Sequence, residues 1–134
     1  MRSMTENAKG QTEVDQFLIS RIDSVPHLEA LLLVWRCRPK TWTVNELAER
    51  LYVKSESARS IVADLVRQEL IAVVDGRPNE YGYAPKSERQ DVLMKDLEEA
   101  YRRELIRISN LIHSKAPASV REFARAFRFI KQRQ

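Results

Sequence analysis

Few side chains in this sequence have the types and spacing that catalysis or metal binding requires. The single cysteine, Cys37, lies between Arg36 and Arg38, whose charges would favour a reactive thiolate, but a buried structural cysteine is the simpler interpretation. His27 and His113 have no neighbouring ligands at zinc spacing, so the sequence predicts no metal site and no cofactor. There is no glycine-rich phosphate loop, nucleophile motif or isolated carboxylate pair, which argues against an enzyme.

A second group of polar side chains is suited to hydrogen bonding. Between residues 55 and 68 apolar residues recur at helical spacing, so the opposite face of the helix is polar. This polar face carries Glu56, Ser57, Arg59, Ser60, Ala63 and Arg67. A guanidinium donates two parallel hydrogen bonds to a matching acceptor. The alternative interpretation is that Arg59 and Arg67 only solvate this face and pair with Asp64 or Glu56.

Two short helices joined by a tight turn would position this face. In the stretch "NELAERLYVKSESARSIVADL", residues 45 to 65, one apolar stripe precedes Tyr52 and a second follows Ser55. Thr43 and Glu46 have the spacing of a capping box at the start of the first helix, and Ser55 is predicted to cap the second. Helices joined by three or four residues cross at a steep angle, as in a helix-turn-helix.

The flanking segments predict two more helices before this pair and a hairpin after it. The first helix is short, with Val14, Phe17, Leu18 and Ile22 on one face. A helix capped by Asp23 or Ser24 precedes the pair. The apolar run "IAVV" and the segment "YGYA", separated by "DGRPNE", predict a β-hairpin. One long helix is predicted from Ser87 to about residue 115, followed by a basic amphipathic tail helix. The predicted division is a disordered leader over 1–11, a domain over 12–86 and a helical segment over 87–134.

The charge distribution is uneven along the chain. Net charge is +4, yet residues 43–86 contain six Lys/Arg against seven Asp/Glu, whereas residues 114–134 contain six basic residues and Glu122 as the acidic one. No apolar run approaches the roughly 20 residues that span a bilayer. A single cysteine fits a reducing compartment, so we expect a cytoplasmic protein without a transmembrane segment.

The order of helix, helix-turn-helix and hairpin resembles the winged helix-turn-helix of bacterial transcription regulators, of the MarR type or the ArsR/PadR type. The resemblance spans about residues 24 to 86. It is carried by Leu47, Ala48, Leu51, Val53, Ser55, Ala58, Ile61, Leu65, Leu70 and Ile71. Tyr52 and Glu69 depart from the pattern because the family usually has glycine there, so these helix ends are expected to close differently.

The resemblance implies a mainly α fold, with a three-helix core, a β-hairpin wing and a long C-terminal dimerisation helix. It further implies that the helix over residues 55–68 reads double-stranded DNA in the major groove and that a homodimer reads an inverted repeat. The expected DNA-binding residues are Lys40, Thr43, Ser55, Ser57, Arg59, Ser60, Arg67 and Arg77. Because residues 43–86 are not basic, the electrostatic contribution of a single module to DNA binding would be weak.

The apolar stripe of the long helix and tail is the expected dimer interface. It consists of Leu93, Leu97, Tyr101, Leu105, Ile108, Ile112, Phe123 and Phe127. The alternative is a winged-helix module for protein interactions that has lost specific DNA binding. Such a module would bind a protein partner or an anionic surface through the basic aromatic C-terminal helix.

Overall fold

The computed structural model describes residues 4–114, with side chains described for residues 11–114. Within this part the chain forms six helices and one two-stranded sheet. In chain order the elements are α1 (Met4–Arg21), α2 (Val25–Arg36), α3 (Val44–Leu51), α4 (Ser55–Arg67), β1 (Ile71–Val74), β2 (Arg77–Tyr83), α5 (Glu88–Arg103) and α6 (Leu105–Ser114). The predicted mainly α fold with a hairpin wing is confirmed.

The helix α2 forms the centre of the core. Its sequence "VPHLEALLLVWR" is apolar around most of its circumference, and all residues from Ala30 to Trp35 are buried. Such a helix must be covered on several sides. Accordingly α2 packs against α3, α4, β2, α5 and α6. Ser24 caps α2, as predicted, by accepting a hydrogen bond from the His27 backbone N–H.

The helix-turn-helix is formed by α3 and α4. Thr43 and Glu46 make both bonds of the predicted capping box, at 3.1 and 3.0 Å. The prediction that Ser55 caps α4 is wrong. Lys54 is the capping residue and makes no side-chain bond, while Ser55 is the first helical residue and donates to the Asn45 Oδ1 atom at 3.3 Å. The cap moves by one residue because α3 ends sharply at Tyr52.

The two positions where the family usually has glycine close their helices in the left-handed conformation. Tyr52 has φ 56° and Glu69 has φ 61°. In both cases the next residue donates its N–H to a carbonyl five residues back: Val53 to Ala48, and Leu70 to Leu65. The expectation that these ends close differently is therefore wrong. The backbone bonds hold a conformation that costs a non-glycine residue roughly 1–2 kcal/mol.

The wing is a hairpin with a two-residue turn. Asp75 and Gly76 form the turn, and Gly76 has φ 77°, which glycine adopts without strain. The return strand begins at Arg77 rather than near Tyr81, so part of the segment predicted as a turn is strand. Trp42 and Tyr81 exchange two backbone hydrogen bonds of 2.8 Å, which attach the wing to the start of α3.

The predicted long C-terminal helix is broken at Glu104. This residue leaves the helical conformation (φ −127°, ψ 46°), while its N–H closes α5 and its carbonyl accepts from Ile108 to open α6. Arg107 binds both Glu104 and Asp15 of α1 at 3.0–3.2 Å. The bend packs α6 against α1 and α5, whereas one straight helix would project from the domain.

The amino-terminal helix is longer than predicted. Residues 4–11 were expected to belong to a disordered leader, but α1 begins at Met4. The apolar periodicity starts only at Val14, and the polar residues before it continue the helix that this buried stripe anchors. The predicted tail helix, with Phe123 and Phe127, lies outside the described residues. None of the described helices has the length and apolar character needed to cross a membrane.

Candidate nucleic-acid interface

The helix α4 presents a polar face to solvent. Its inward side is formed by Ala58, Ile61, Val62 and Leu65, all of them buried in the core, as the apolar spacing predicts. On the outward side Ser57, Arg59 and Ser60 are all exposed. Within the described part of the chain Arg59 takes part in no ion pair, so its five N–H donors are available to a ligand.

Arg59 lies at the wall of an open concavity of about 480 Å³ between the start of α3, α4 and the wing. The concavity is lined by Thr43, Val44, Asn45, Arg59, Asn79 and Tyr81. Three separate elements thus bring amide, hydroxyl and guanidinium groups to one surface. Arg59 is the charged residue among these lining residues, and no carboxylate is among them.

Three residues of this concavity were missed by the sequence interpretation. Asn79 and Tyr81 lie on β2, and they reach the concavity because the bridge between Trp42 and Tyr81 holds the wing beside α3. Asn45 lies in the first turn of α3, where its side chain also accepts from Ser55. Of the three, only Asn45 could have been predicted from the sequence to lie here, because it stands two residues after the capping Thr43.

The start of α3 is less suited to phosphate than the sequence suggests. The Thr43 hydroxyl accepts from the Glu46 N–H, while the Glu46 carboxylate accepts from the Thr43 N–H. The bond from the Thr43 backbone holds the pKa of Glu46 below its usual range, and Lys40 lies 3.5 Å from the same carboxylate. A carboxylate already occupies this helix terminus and repels an incoming phosphate. Thr43 and Lys40 thus already interact with Glu46, which leaves them less available to a phosphate.

Two further predicted contact residues are also paired within the chain. Arg67 lies 3.1 Å from Asp64 on the same helix, and Arg77 lies 3.7 Å from Glu80 on β2. Their side chains are 73% and 64% exposed, so solvent competes for both pairs and they are readily exchanged. Of the predicted contact arginines, Arg59 forms no ion pair with the residues that the structure describes, and the other two are weakly paired.

The predicted dimer residues fall into three groups. Leu97, Ile108 and Ile112 are buried in the core of the chain itself, contrary to the prediction, because the bend at Glu104 turns α6 inward. Leu93 and Tyr101 are partly buried, and Tyr101 donates to Glu29 Oε1 at 2.8 Å. Burial, together with this hydrogen bond, raises the pKa of Tyr101 to about 12.

Leu105 forms the third group and is half exposed. The neighbouring Ile106, which the sequence interpretation did not select, is 76% exposed. These two side chains follow directly after the break at Glu104, at the first turn of α6. They form an apolar surface that a monomer leaves in contact with water.

Taken together, the helix pair, the bridged wing and the terminal helices define a winged helix-turn-helix protein. No protein-family model matches the sequence, and no curated protein matches it. Its fold is similar to that of MepR, a transcription regulator of the Staphylococcus aureus multidrug efflux pump MepA, with 14% identity and a TM-score of 0.51. That match covers 97% of this chain and 94% of MepR.

A mutant of S. aureus MepR gives the same TM-score of 0.51 at 13% identity, with the same coverage of both chains. The multiple antibiotic-resistance repressor MarR from Listeria monocytogenes has 15% identity and a TM-score of 0.48, with 98% of this chain and 96% of that chain covered. The two MepR matches show that the chain shares the winged helix-turn-helix fold of that regulator, which is the fold that the sequence resemblance implied.

Proposed function

We propose that this protein is a DNA-binding transcriptional regulator that acts as a homodimer on an inverted-repeat operator. The helix α4 of each subunit would enter one major groove, with Ser57, Arg59 and Ser60 facing the bases and sugar-phosphate edges. The observation that carries the proposal is the unpaired, exposed guanidinium of Arg59 in a concavity lined by amide and hydroxyl groups and by no carboxylate.

The distribution of acidic side chains supports this role. Glu69 is held 2.7 Å from Lys86, and Asp64 bonds to His27 on the side of α4 that faces α2. Two of the seven carboxylates of residues 43–86 are therefore held by partners outside the residues that line the concavity. Affinity from phosphate contacts is still modest for one module, so a second copy of α4 in a dimer is needed for tight binding.

The exposed pair Leu105 and Ile106 supports a dimer contact at the terminal helices. These side chains would be covered by a partner subunit, whereas Leu97, Ile108 and Ile112 stabilise the helices from within. A two-fold axis through such a contact relates the two α4 helices and so matches the symmetry of an inverted repeat. Location in the cytoplasm, where the DNA is accessible, belongs to the same proposal.

The test is binding of the purified chain to genomic DNA fragments across a salt series. We expect saturable binding to a few fragments, with two chains for each bound site. Arg59→Ala should weaken this binding by about 1–3 kcal/mol, a factor of roughly 5 to 150, and leave the free energy of unfolding unchanged. The change acts on an exposed side chain that makes no ion pair within residues 11–114, so folding has no reason to respond.

Arg103→Ala is the matched control. It removes the same charge from an exposed position at the end of α5, about 24 Å along that helix from its start near the wing. Affinity for the selected fragments should stay within about twofold. Weak binding to every fragment that both variants reduce equally would overturn specific recognition by α4. In that case a protein partner at the C-terminal segment becomes the function to test.

A further inference from the structure

Three potential metal ligands converge beside α4, on the side away from the concavity. Asp23 precedes α2, His27 lies in the first turn of α2, and Asp64 projects from α4. The ligand atoms of the three side chains all lie within 4.8 Å of one another. His27 and Asp64 are 12% and 28% exposed, and Asp23 is open to solvent. A cation could therefore enter from the surface while being held by two shielded side chains.

We propose that Asp23, His27 and Asp64 bind a divalent transition-metal ion that joins α2 to α4. One imidazole nitrogen and two carboxylate oxygens form the mixed donor set that Zn²⁺ and related ions accept, with water completing the coordination. His27 Nε2 and Asp64 Oδ2 are now 2.8 Å apart. Ligands about 2.1 Å from a tetrahedral ion are separated by roughly 3.4 Å, so this pair would open by about half an ångström and Asp23 would close in from its distance of up to 4.8 Å.

Ser24 orients the imidazole for this role. Its hydroxyl lies 2.5 Å from His27 Nδ1, and it is fixed there because it also caps α2 by accepting from the His27 N–H. A hydroxyl can accept as well as donate. In the metal-bound state the single ring proton would be on Nδ1 and donated to Ser24, and the Nε2 lone pair would be directed at the ion between His27 and Asp64. Ligating histidines in metal sites are commonly held in this way through the second nitrogen.

A positively charged side chain near the site limits the affinity of the site for a metal ion. Arg67 lies 3.1 Å from Asp64 Oδ1, and its positive charge opposes a metal ion on the same carboxylate. Its side chain is 73% exposed, however, and water can replace that pair at small cost. Metal binding would thus release Arg67 from Asp64 and fix α4 more firmly to α2.

The experiment uses the full chain after treatment with a chelator. Zn²⁺ alone, and Mn²⁺ in parallel, are titrated into the protein by calorimetry, and thermal unfolding is recorded at each concentration. We expect saturable binding of one ion per chain and a melting temperature that rises with metal concentration, since the arrangement exists only in the folded state. Binding is measured without DNA, so its failure would leave the proposed function untouched.

Variants assign the site. His27→Gln and Asp64→Asn should lower the affinity at least about tenfold, and Ser24→Ala should lower it about tenfold by freeing the ring. Asp23→Asn keeps the size of the side chain and should also lower the affinity. His113→Gln, which removes the exposed histidine of α6, is the matched control and should bind as the unaltered chain does.

Two results would overturn the proposal. One is the absence of saturable binding to the unaltered chain, which would mean that the three side chains only tie α2 to α4 by hydrogen bonds. The other is binding that is unchanged in His27→Gln and in Asp64→Asn, whatever the result in His113→Gln, which would place the ion elsewhere.

Discussion

The two halves of α4 differ in how their polar side chains are used. In the first half Ser57, Arg59 and Ser60 are exposed, and Arg59 lines the concavity beside the wing. In the second half Asp64 bonds to His27, and Gln68, which caps the helix, accepts bonds from Arg21 of α1 through its side chain and its carbonyl. One half presents donors to a ligand, while the other half is attached to the two preceding helices.

The difference does not arise from the apolar side of the helix. Ala58, Ile61, Val62 and Leu65 are buried along its whole length. It arises from the neighbours: the end of α1 and the start of α2 lie beside the second half, and the first half extends beyond them. Attachment at one end leaves the exposed residues at the other end free to vary without loss of the fold.

The largest expected effect comes from truncating a buried apolar side chain in the second half of α4. Leu65 is 1% exposed, so Leu65→Ala removes a well-packed side chain and leaves a cavity. We expect the free energy of unfolding, measured by urea denaturation, to fall by about 2–5 kcal/mol. Ser57→Ala, in the first half, is the control and should change it by less than about 0.5 kcal/mol. A similar loss in Ser57→Ala would show that the exposed side of the first half also stabilises the fold.

Local signals in the sequence predicted the apolar side of α4 and the capping box at Thr43. Both depend on residues three or four positions apart, and no distant contact is needed to form them. The turn between the helices was predicted for the same reason. The cap of α4 lies one residue earlier than predicted. The helix α3 ends at Tyr52 in the left-handed conformation, which a tyrosine does not favour, so residue spacing did not indicate this end.

Features that depend on distant residues were not predictable from spacing. His27 and Asp64 are 37 positions apart, so neither indicated the other. The break at Glu104 interrupts an apolar stripe that reads as continuous. It is stabilised by Arg107 together with Asp15, 92 positions away. Residues 4–10 show no apolar periodicity. They are helical because they continue the later turns of α1, which are anchored in the core by buried side chains.

A smaller effect concerns the left-handed residues that flank α4. Tyr52 precedes the presenting half, and its side chain is 95% exposed. Tyr52→Gly should raise the free energy of unfolding by up to about 1 kcal/mol, because glycine adopts φ 56° without strain and little side-chain contact is lost. Thermal or urea unfolding measures this gain.

Glu69 follows the attached half and provides the comparison. Glu69→Gly relieves the same backbone strain but removes the carboxylate that bonds to Lys86 at 2.7 Å, an exposed pair of small value. Its gain should therefore be smaller than that of Tyr52→Gly. A loss of stability in Tyr52→Gly would show that the exposed tyrosine makes contacts that hold the turn, and the two ends of α4 would then be supported alike.

The smallest effect is expected at Arg67, which is on the polar face but belongs to the attached half. Arg67→Ala removes an ion pair that is 73% exposed on the arginine side, so stability should change by less than about 0.5 kcal/mol. Because Asp64 partly neutralises this guanidinium, DNA affinity should fall less than in Arg59→Ala. The measurement is the same salt series of fragment binding. A loss of affinity equal to that of Arg59→Ala would show that the DNA-binding surface runs along all of α4. The ion pair with Asp64 would then be one that DNA displaces.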